Sequence, residues 1–464
     1  MALSSDFFAG CYLVATIFFI FGLKGLASPR TAVRGNYSAM LGMLIAVVVT
    51  MFHPDVKAYG WILAGLGLGA VVGTLIALRI QMTNMPQLVA ILHSFVGLAA
   101  VLVAFGTYLE HAAHGEVNSV MLVELAAGSF IGAITFTGSL IAFGKLQALL
   151  NSAPLLLPGR HLLNILLALA MLGFTVDFVM NQHLYSFVAL SGTALALGFL
   201  LVLPIGGGDM PVIVSMLNSY SGWAATATGF TLGNNLLVTT GALVGSSGAI
   251  LSFVMCKAMN RSILSVILGG FGETGGDSTA AQAAGKGVKS ASAEDAAFVM
   301  ENSSKVIVVP GYGMAVAQAQ HAVKEMYEAL QEKGIEVKFA IHPVAGRMPG
   351  HMNVLLAESE IPYDVIFEMD EVNSEFSSAD SVLVIGANDV VNPAAKTDKS
   401  SPLYGMPILD AYKAKHVFVN KRSMKAGYAG VDNALFYMDN CSLVFGDAKS
   451  VVEAFVKSLR GTGH

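Results

Sequence analysis

The chain has 464 residues, of which 55% are hydrophobic and only 12% are charged, against roughly 25% charged residues in ordinary soluble proteins. Most acidic residues and lysines lie beyond residue 273, which excludes a wholly soluble protein and indicates a lipid-facing part followed by a water-facing part. The net charge of −5 gives no reason to expect a nucleic-acid partner.

The N-terminal segment predicts a first spanning helix. It carries Asp6, no basic residues and no small-residue cleavage site, which argues against a cleaved signal peptide. The three cysteines, Cys11, Cys256 and Cys441, are far apart and lack metal-ligand spacing. We therefore expect reduced thiols, with neither disulfides nor a metal site.

Nine stretches are long and apolar enough to predict membrane-spanning helices, since crossing a bilayer takes about 20 mainly apolar residues. Glycines such as Gly65, Gly67 and Gly69 inside them favour close helix packing over a nucleotide-binding loop. We therefore predict a membrane domain over residues 1–262. Its predicted helices cover residues 7–26, 36–53, 60–78, 86–108, 119–143, 161–181, 184–204, 212–231 and 236–257.

Basic residues in the loops predict the orientation of these helices. The loops on one side contain only Lys57. Because basic loops stay inside the cell, we expect the N-terminus outside and everything after the ninth helix in the cytoplasm. The loops on the cytoplasmic side contain Lys24, Arg30, Arg34, Arg79, Lys145, Arg160, Lys257 and Arg261.

Residues 263–302 predict a linker, because their first half is rich in Gly, Ala and Ser. A G-x-G-x-x-G match at Gly270, Gly272 and Gly275 is compositional, since no strand precedes it. From residue 303 onward, β-branched runs alternate with helical stretches, which predicts a doubly wound, Rossmann-like parallel sheet. The predicted strands are 305–309, 337–341, 365–367, 382–385, 416–419 and 442–445.

The first predicted strand is followed by a glycine turn, 311–316, and by one helix through about residue 333. Gly311 permits a tight turn, and Gly313 lets a pyrophosphate approach the backbone at the helix N-terminus. Val316 replaces the third glycine of the usual pattern. The context favours a nucleotide-binding turn over a plain strand–helix turn.

Other strand ends indicate which nucleotide is bound. No carboxylate follows the second strand, where an NAD site places one to bind the ribose. Lys421, Arg422 and Ser423 follow a later strand and suit a 2′-phosphate, which favours NADP over the alternative of a solvated basic turn. Residues 344–350 follow the second strand and residues 386–389 the fourth, at the edge where such sheets bind ligands, although Asp389 is equally placed to cap a helix.

Four polar residues of the membrane domain are candidates for an ion path. His93 lies in mid-span, where ionisable groups usually serve ion or proton movement. The alternative is a neutral histidine hydrogen-bonded between helices. Ser139 and Asn218 are candidates to line the same path, and otherwise pack helices together. Asp209 follows a glycine-rich loop at the cytoplasmic mouth, where spacing alone favours a solvated loop acid.

Together these segments resemble the β subunit of the proton-translocating NAD(P)+ transhydrogenases, over essentially the whole chain. The matching segments of the membrane domain are 85–98, 209–211, 216–223 and 245–248. Those of the sheet domain are 311–316, 342–350, 386–389, 421–423, 427–428 and 446–448.

The resemblance implies that this chain binds NADP(H) while a separate α subunit, of one or two chains, binds NAD(H). Hydride then passes directly between the nicotinamides, and proton passage drives NADPH formation. It also implies a dimer of αβ units among the lipids of a bacterial cytoplasmic membrane.

The same resemblance assigns roles to individual residues. His93, Ser139 and Asn218 match proton-path positions, and Asp209 matches an acid at the cytoplasmic mouth. The residues expected to bind NADP(H) are Gly311, Tyr312, Gly313, Val316, Val344, Ala345, Gly346, Arg347, Met348, Pro349, Gly386, Ala387, Asn388, Asp389, Val390, Gly405, Met406, Lys421, Arg422, Ser423, Met424, Lys425, Ala426, Gly427, Tyr428, Asp447 and Ala448.

Two other functions stay open on the residues alone. One is a channel or secondary transporter regulated by a nucleotide-sensing domain, and the other is a dehydrogenase anchored in the membrane. The anchored dehydrogenase leaves nine spans unexplained. Hydride exchange between two nucleotides would need a partner, because the chain has one credible nucleotide-binding turn.

Overall fold

The computed structural model of the protein describes residues 5–26, 28–54, 56–115, 117–151, 154–269, 287–427 and 429–461. Nine long helices come first, and each coincides with one of the predicted stretches. They are α1 (Ser5–Leu26), α2 (Pro29–Met51), α3 (Tyr59–Arg79), α4 (Met85–His114), α5 (Ser119–Leu146), α6 (Arg160–Asn181), α7 (Leu184–Val202), α8 (Met210–Thr231) and α9 (Asn235–Ala258), followed by the short α10 (Ile263–Ile267).

Eight of these described helices are long and apolar enough to cross a membrane, and α8 is not among them. α8 has 22 residues but carries polar side chains such as Ser215, Asn218 and Ser219. It packs against α4, α5 and α9. A helix enclosed by other helices needs no continuous apolar surface, because little of it meets lipid. The chain is thus a multi-span α-helical membrane protein.

α8 and α9 cross at close range because glycines line their contact. A Cβ added at Gly222 would lie 2.3 Å from the backbone nitrogen of Gly245. Ser219 donates a hydrogen bond of 2.5 Å to the Gly245 carbonyl, and Ser215 donates one of 3.1 Å to Gly248. Small residues therefore let the two backbones approach while hydroxyl groups join them.

α4 and α5 pack in the same manner beside His93. A Cβ at Gly97 would lie 2.5 Å from the carbonyl oxygen of Gly132. Ser94 donates a 3.1 Å hydrogen bond to the Phe136 carbonyl. These contacts set the register of α4 on α5 and hold the helix face next to His93 in place.

The sheet domain contains six parallel strands, as predicted. The order β3-β2-β1-β4-β5-β6 is that of a doubly wound sheet, with the change of direction between β1 and β4. The strands are β1 (Lys305–Pro310), β2 (Glu336–Ile341), β3 (Ile366–Glu368), β4 (Ser381–Ile385), β5 (His416–Lys421) and β6 (Cys441–Phe445).

Helices cover one face of this sheet, and short helical turns and loops cover the other. β1 and β4 are almost wholly buried between them, as expected of a parallel sheet. The helices are α11 (Ala293–Glu301), α12 (Tyr312–Val316), α13 (Gln320–Glu332), α14 (His351–Glu358) and α15 (Ala448–Arg460), with single helical turns at Met369–Val372 and Ala394–Thr397.

The single helix predicted after the glycine turn is wrong, because the chain breaks between α12 and α13. Gln318 adopts a left-handed φ of 51°. The Ala319 amide donates to the Met314 carbonyl, and the Gln318 amide donates to the Ala315 carbonyl. This is the pattern of a helix end that usually contains glycine, and this sequence has none there to signal it.

The second half of the predicted linker is built into the sheet domain. Ser290 forms a parallel bridge with Leu443 of β6. α11 buries Ala296, Ala297 and Met300 in the main core of the domain. Its alanine-rich sequence therefore packs, although its composition is that of a linker. The rejected glycine match at 270–275 lies outside the described residues.

We predict that Gly222→Ala destabilises the membrane domain, because the new methyl group overlaps the α9 backbone. Overpacking of this kind costs about 1–3 kcal/mol. Gly173→Ala in α6 is the matched control, since a Cβ there meets no atom within 4 Å. Thermal unfolding of both variants in detergent measures the effect. An unchanged melting temperature for Gly222→Ala would contradict the close crossing of α8 and α9.

Candidate functional site

A cavity of about 370 Å³ lies at the C-terminal edge of the sheet, between the sheet domain and the start of α8 and the end of α9. Ligands of doubly wound sheets bind at this edge, beside the change of strand direction. The volume is within the range of small-molecule sites. Its lining residues are Gly208, Asp209, Met259, Arg261, Gly311, Tyr312, Gly313, Val344, Ala345, Gly346, Gly386, Ala387, Asn388, Asp389, Val390, Pro402, Leu403, Met406, Ala426, Gly427 and Ala429.

Three glycines bring the turns after β1 and β4 together at one wall of this cavity. The Gly313 amide donates a 2.9 Å hydrogen bond to the Gly386 carbonyl. A Cβ at Gly311 would lie 2.4 Å from that same oxygen. Gly386 has a φ of +70°, and a Cβ there would lie 2.2 Å from the Met314 nitrogen. The wall is therefore bare backbone, which a ligand can approach closely.

Val316 lies outside the cavity and is 47% exposed. The third glycine of the usual pattern serves close packing of a long helix on the sheet. Here α12 ends at Val316, and Gly386 supplies the close backbone contact instead. The helix has only five residues, so its contribution to a positive dipole end is small. Close backbone approach at the three glycines, more than the N-terminus of this short helix, therefore characterises the wall.

His342 joins the loop after β2 to the segment before Leu409. Its Nε2 lies 2.9 Å from the Pro407 carbonyl, and its Nδ1 accepts a 3.2 Å hydrogen bond from the Val344 amide. The proton therefore sits on Nε2. Burial lowers the pKa of His342 to about 4. A neutral imidazole thus holds Val344 and Ala345 at the cavity wall.

The next residues of this loop turn away from the cavity at Gly346, which has a φ of +109°. Arg347 donates a 2.9 Å hydrogen bond to the Leu146 carbonyl of α5. Met348 is buried and Pro349 is half-buried. Arg347, Met348 and Pro349 were expected to contact the nucleotide, but they are not among the residues that line the cavity.

The loops after β4 and β5 are joined above the cavity. Asp389 accepts a 2.9 Å hydrogen bond from the Ala429 amide. Asn433 donates a 3.1 Å hydrogen bond to the side chain of Asn388. Gly427 fits against both side chains, since a Cβ there would lie 2.5 Å from an Asp389 carboxylate oxygen and 2.6 Å from the Asn388 amide nitrogen. Asp389 therefore ties the two loops together.

The basic residues after β5 lie outside the cavity. Lys421 donates a 3.1 Å hydrogen bond to the Lys425 carbonyl, and its ammonium lies 4.3 Å from the Phe436 ring centre. Burial lowers the pKa of Lys421. Arg422, Ser423 and Met424 are exposed, whereas Ala426 and Gly427 of the same loop line the cavity.

The remaining predicted residues of the sheet domain are divided. Met406 lines the cavity, while its neighbour Gly405 packs against Asn260 beyond α9. Asp447 accepts a 3.1 Å hydrogen bond from the Lys449 amide and caps α15, whose first residue is Ala448. Tyr428 lies outside the described residues.

The membrane side of the cavity contains an ion pair, of which one member was predicted as a site residue and the other was not. Asp209 and Arg261 approach to 2.5 Å, with side chains 4% and 13% exposed. The interpretation of Asp209 as a solvated loop acid is therefore wrong. Arg261 and Met259 were not predicted to line a site, and Arg261 was counted only as a loop charge. Pro402, Leu403 and Ala429 carry no motif that would have identified them.

His93 lies buried where α4 meets α8. The Ser221 hydroxyl lies 3.1 Å from His93 Nδ1 and donates a 2.8 Å hydrogen bond to the Asn218 carbonyl. Ser139 is buried on α5, and its hydroxyl has no hydrogen-bond partner among the described residues. The predicted residues thus lie on three helices packed together, and the direct partner of His93 is Ser221, which was not predicted.

The comparisons with known proteins agree with this architecture. The family described as "NAD(P) transhydrogenase beta subunit" matches residues 9–458. A curated protein from Rhodospirillum rubrum, named "NAD(P) transhydrogenase subunit beta", is 57% identical over 454 residues, covering 97% of this chain and 98% of that protein. A second curated relative of that name, from a designated strain of Rhodospirillum rubrum, shows the same identity and coverage.

These matches include both the membrane helices and the sheet domain, as the resemblance in the sequence predicts. The chain therefore belongs to the family of NAD(P) transhydrogenase beta subunits.

Proposed function

We propose that this chain binds NADP(H) and conducts protons in a transhydrogenase whose α subunit binds NAD(H). The observation that carries the proposal is the composition of the cavity wall. Sheet-domain turns and the buried Asp209–Arg261 pair of the membrane domain line the same space. A ligand in this space contacts both parts of the chain, so that its binding depends on their relative arrangement.

The cavity fits a nicotinamide nucleotide in two respects. The bare backbone at Gly311, Gly313 and Gly386 admits a diphosphate closely. Apolar side chains such as Leu403 and Met406 line the cavity and suit a nicotinamide ring. Bound NADP(H) supplies the hydride chemistry, and the residues of this chain bind and orient it and exclude water.

The choice of NADP(H) over NAD(H) rests on charge. β2 ends at Ile341 and is followed by His342, and neither carries the carboxylate that an NAD site uses for the ribose. Arg422 and Ser423 lie on the same loop as the cavity-lining Ala426. An exposed guanidinium beside the site suits bidentate binding of a 2′-phosphate.

A second nucleotide site on the α subunit follows from the same reasoning. The described part of this chain offers one glycine turn at one strand edge, and direct hydride transfer needs two nicotinamides. We propose that an α subunit of one or two chains supplies NAD(H), and that the complex is a dimer of αβ units. In this complex, the contact between the α subunit and the sheet domain of this chain brings the two nicotinamides together.

The orientation proposed for the chain follows from its loop charges. With α8 as a ninth crossing, eight basic residues lie on one side and Lys57 on the other. We place the basic side and the sheet domain in the cytoplasm of a bacterium and the N-terminus in the periplasm. No described residue of α3 is buried, so lipid or other subunits surround this helix.

We assign the coupling of protons to hydride transfer to His93 and α8. Ser221 contacts His93, and α8 continues for about 18 Å from Ser221 to Asp209 at the cavity. Protonation of His93 changes this contact, and a rigid helix conveys the change to the cavity. Two histidines of the sheet domain, His342 and His351, do not take this role. Burial lowers the pKa of both to about 4, so they stay neutral near pH 7.

We predict that His93→Ala uncouples hydride transfer from proton movement, because alanine does not titrate. His114→Ala is the matched control, since His114 lies on the same helix and is exposed. Proton movement into vesicles containing the αβ complex measures the effect. Full proton pumping by His93→Ala would end the assignment.

We predict that Gly313→Ala weakens NADP+ binding by at least about tenfold, because the added Cβ lies 2.7 Å from Gly386 Cα and pushes the two turns apart. Gly287→Ala adds a methyl group in open space and should bind normally. Equilibrium dialysis of the purified complexes tests this, and equal affinities would contradict the site.

We predict that Arg422→Gln weakens NADP+ binding by about 10- to 100-fold, the range of one charge-assisted hydrogen-bond pair. NAD+ carries no 2′-phosphate, so its binding to this chain should change little. Titration of both nucleotides distinguishes the outcomes. An equal loss for both would exclude a 2′-phosphate contact.

A further inference from the structure

Arg347 connects the cavity loop to the end of a membrane helix. Val344, Ala345 and Gly346 line the cavity, and the left-handed turn at Gly346 directs the next residue away from it. Arg347 Nη1 donates a 2.9 Å hydrogen bond to the carbonyl of Leu146, the last residue of α5. The loop thus contacts the cavity and the membrane domain within four residues.

The Leu146 carbonyl is shared with a second membrane helix. Gln87, in the first turn of α4, donates to the same oxygen at 3.4 Å. The C-terminal end of a helix carries roughly half a negative charge, which favours a nearby cation. Arg347 therefore stabilises the point where α4 and α5 meet. These are the helices that carry His93 and Ser139.

The other side of Arg347 faces the cavity wall. Its guanidinium carbon lies 4.2 Å from the centre of the Tyr312 ring, and Tyr312 lines the cavity. Arg347 Nε is buried without a hydrogen-bond partner, and no acidic residue of the described ranges forms an ion pair with Arg347. Within the described part of the chain, a carbonyl and an aromatic ring hold this half-buried cation.

His351 of α14 faces Arg347 and neither neutralises nor adds to its positive charge. His351 Nδ1 accepts a 3.1 Å hydrogen bond from the Arg347 amide. Burial, together with the positive charge of Arg347, lowers the pKa of His351 to about 4. The imidazole is therefore neutral near pH 7, and of these two side chains only the guanidinium carries a charge that responds to an anion in the cavity.

We propose that Arg347 is a positioning residue that exchanges partners when a nucleotide binds, and that it thereby couples the cavity to α5. The proposal rests on the proposed function, since it takes the ligand to be NADP(H). A diphosphate carries full negative charge, whereas the α5 end carries a partial one. The bound diphosphate draws the guanidinium from the Leu146 carbonyl, and the end of α5 loses a hydrogen bond.

This exchange has a reciprocal consequence. If the nucleotide removes Arg347 from α5, then an arrangement of α4 and α5 that holds Arg347 lowers the affinity for the nucleotide. The junction at Leu146 therefore adds a second route between the proton-path helices and the cavity. It runs through different residues from the route through α8 and Asp209.

Amide hydrogen exchange of the αβ complex, with and without NADP+, tests the proposal. In the unchanged protein, NADP+ should speed exchange in the last turn of α5, residues 143–147, by about tenfold, the effect of one charge-assisted hydrogen bond. The loop at 386–390 should become protected in the same sample. Protection of that loop without faster exchange in α5 would overturn the proposal, and no variant is needed for this outcome.

Two variants separate coupling from simple docking. In Arg347→Gln, exchange in the last turn of α5 should be fast without nucleotide and unchanged by NADP+. Arg30 also joins the membrane domain to the sheet domain, since it contacts Asp364 at 2.7 Å, but both side chains are about three-quarters exposed. Exposed ion pairs contribute little, so Arg30→Gln should behave like the unchanged protein. A nucleotide response that persists in Arg347→Gln would overturn the proposal. Failure of NADP+ to protect residues 386–390 would instead overturn the proposed nucleotide site.

Discussion

Close approach of backbones at glycine positions is the constraint on which both parts of this protein depend. In the membrane domain, Gly222 against Gly245 sets the distance between α8 and α9. In the sheet domain, Gly313 against Gly386 sets the distance between the turns after β1 and β4. At each place a single methyl group would overlap backbone atoms, so the chain has little freedom to repack. Movements of one element must therefore be passed to its neighbours.

α8 is the element that joins the two parts most directly. It begins beside Asp209, which lines the cavity, and it contacts His93 through Ser221 about three turns later. α4, α5 and α9 surround it. Because these neighbours shield it from lipid, α8 can carry more polar residues than a helix that is long and apolar enough to cross a membrane by composition alone. A polar, enclosed helix is suited to transmit a change of protonation, because its neighbours restrict it to few arrangements.

The fold was largely predictable from the sequence, because apolar periodicity and strand-forming runs are local signals. The break at Gln318 was not, since a helix end without glycine leaves no local mark. α11 was mistaken for a linker because small residues such as alanine occur both in packed helices and in linkers. The glycine turn and the loop after β2 were identified from local motifs, whereas Asp209 was identified only through the resemblance to the family. Arg261, Leu403 and Ser221 were not, because they reach their positions only through contacts between distant segments.

We propose that one cavity makes hydride transfer depend on proton movement across the membrane. The most direct test is proton movement across sealed vesicles that contain this chain, the α subunit or both, during hydride transfer between NADH and NADP+. Hydride transfer and proton movement should occur together, and only when both subunits are present. Hydride transfer without proton movement in sealed vesicles, or nucleotide-independent proton conduction by this chain alone, would contradict the proposed coupling.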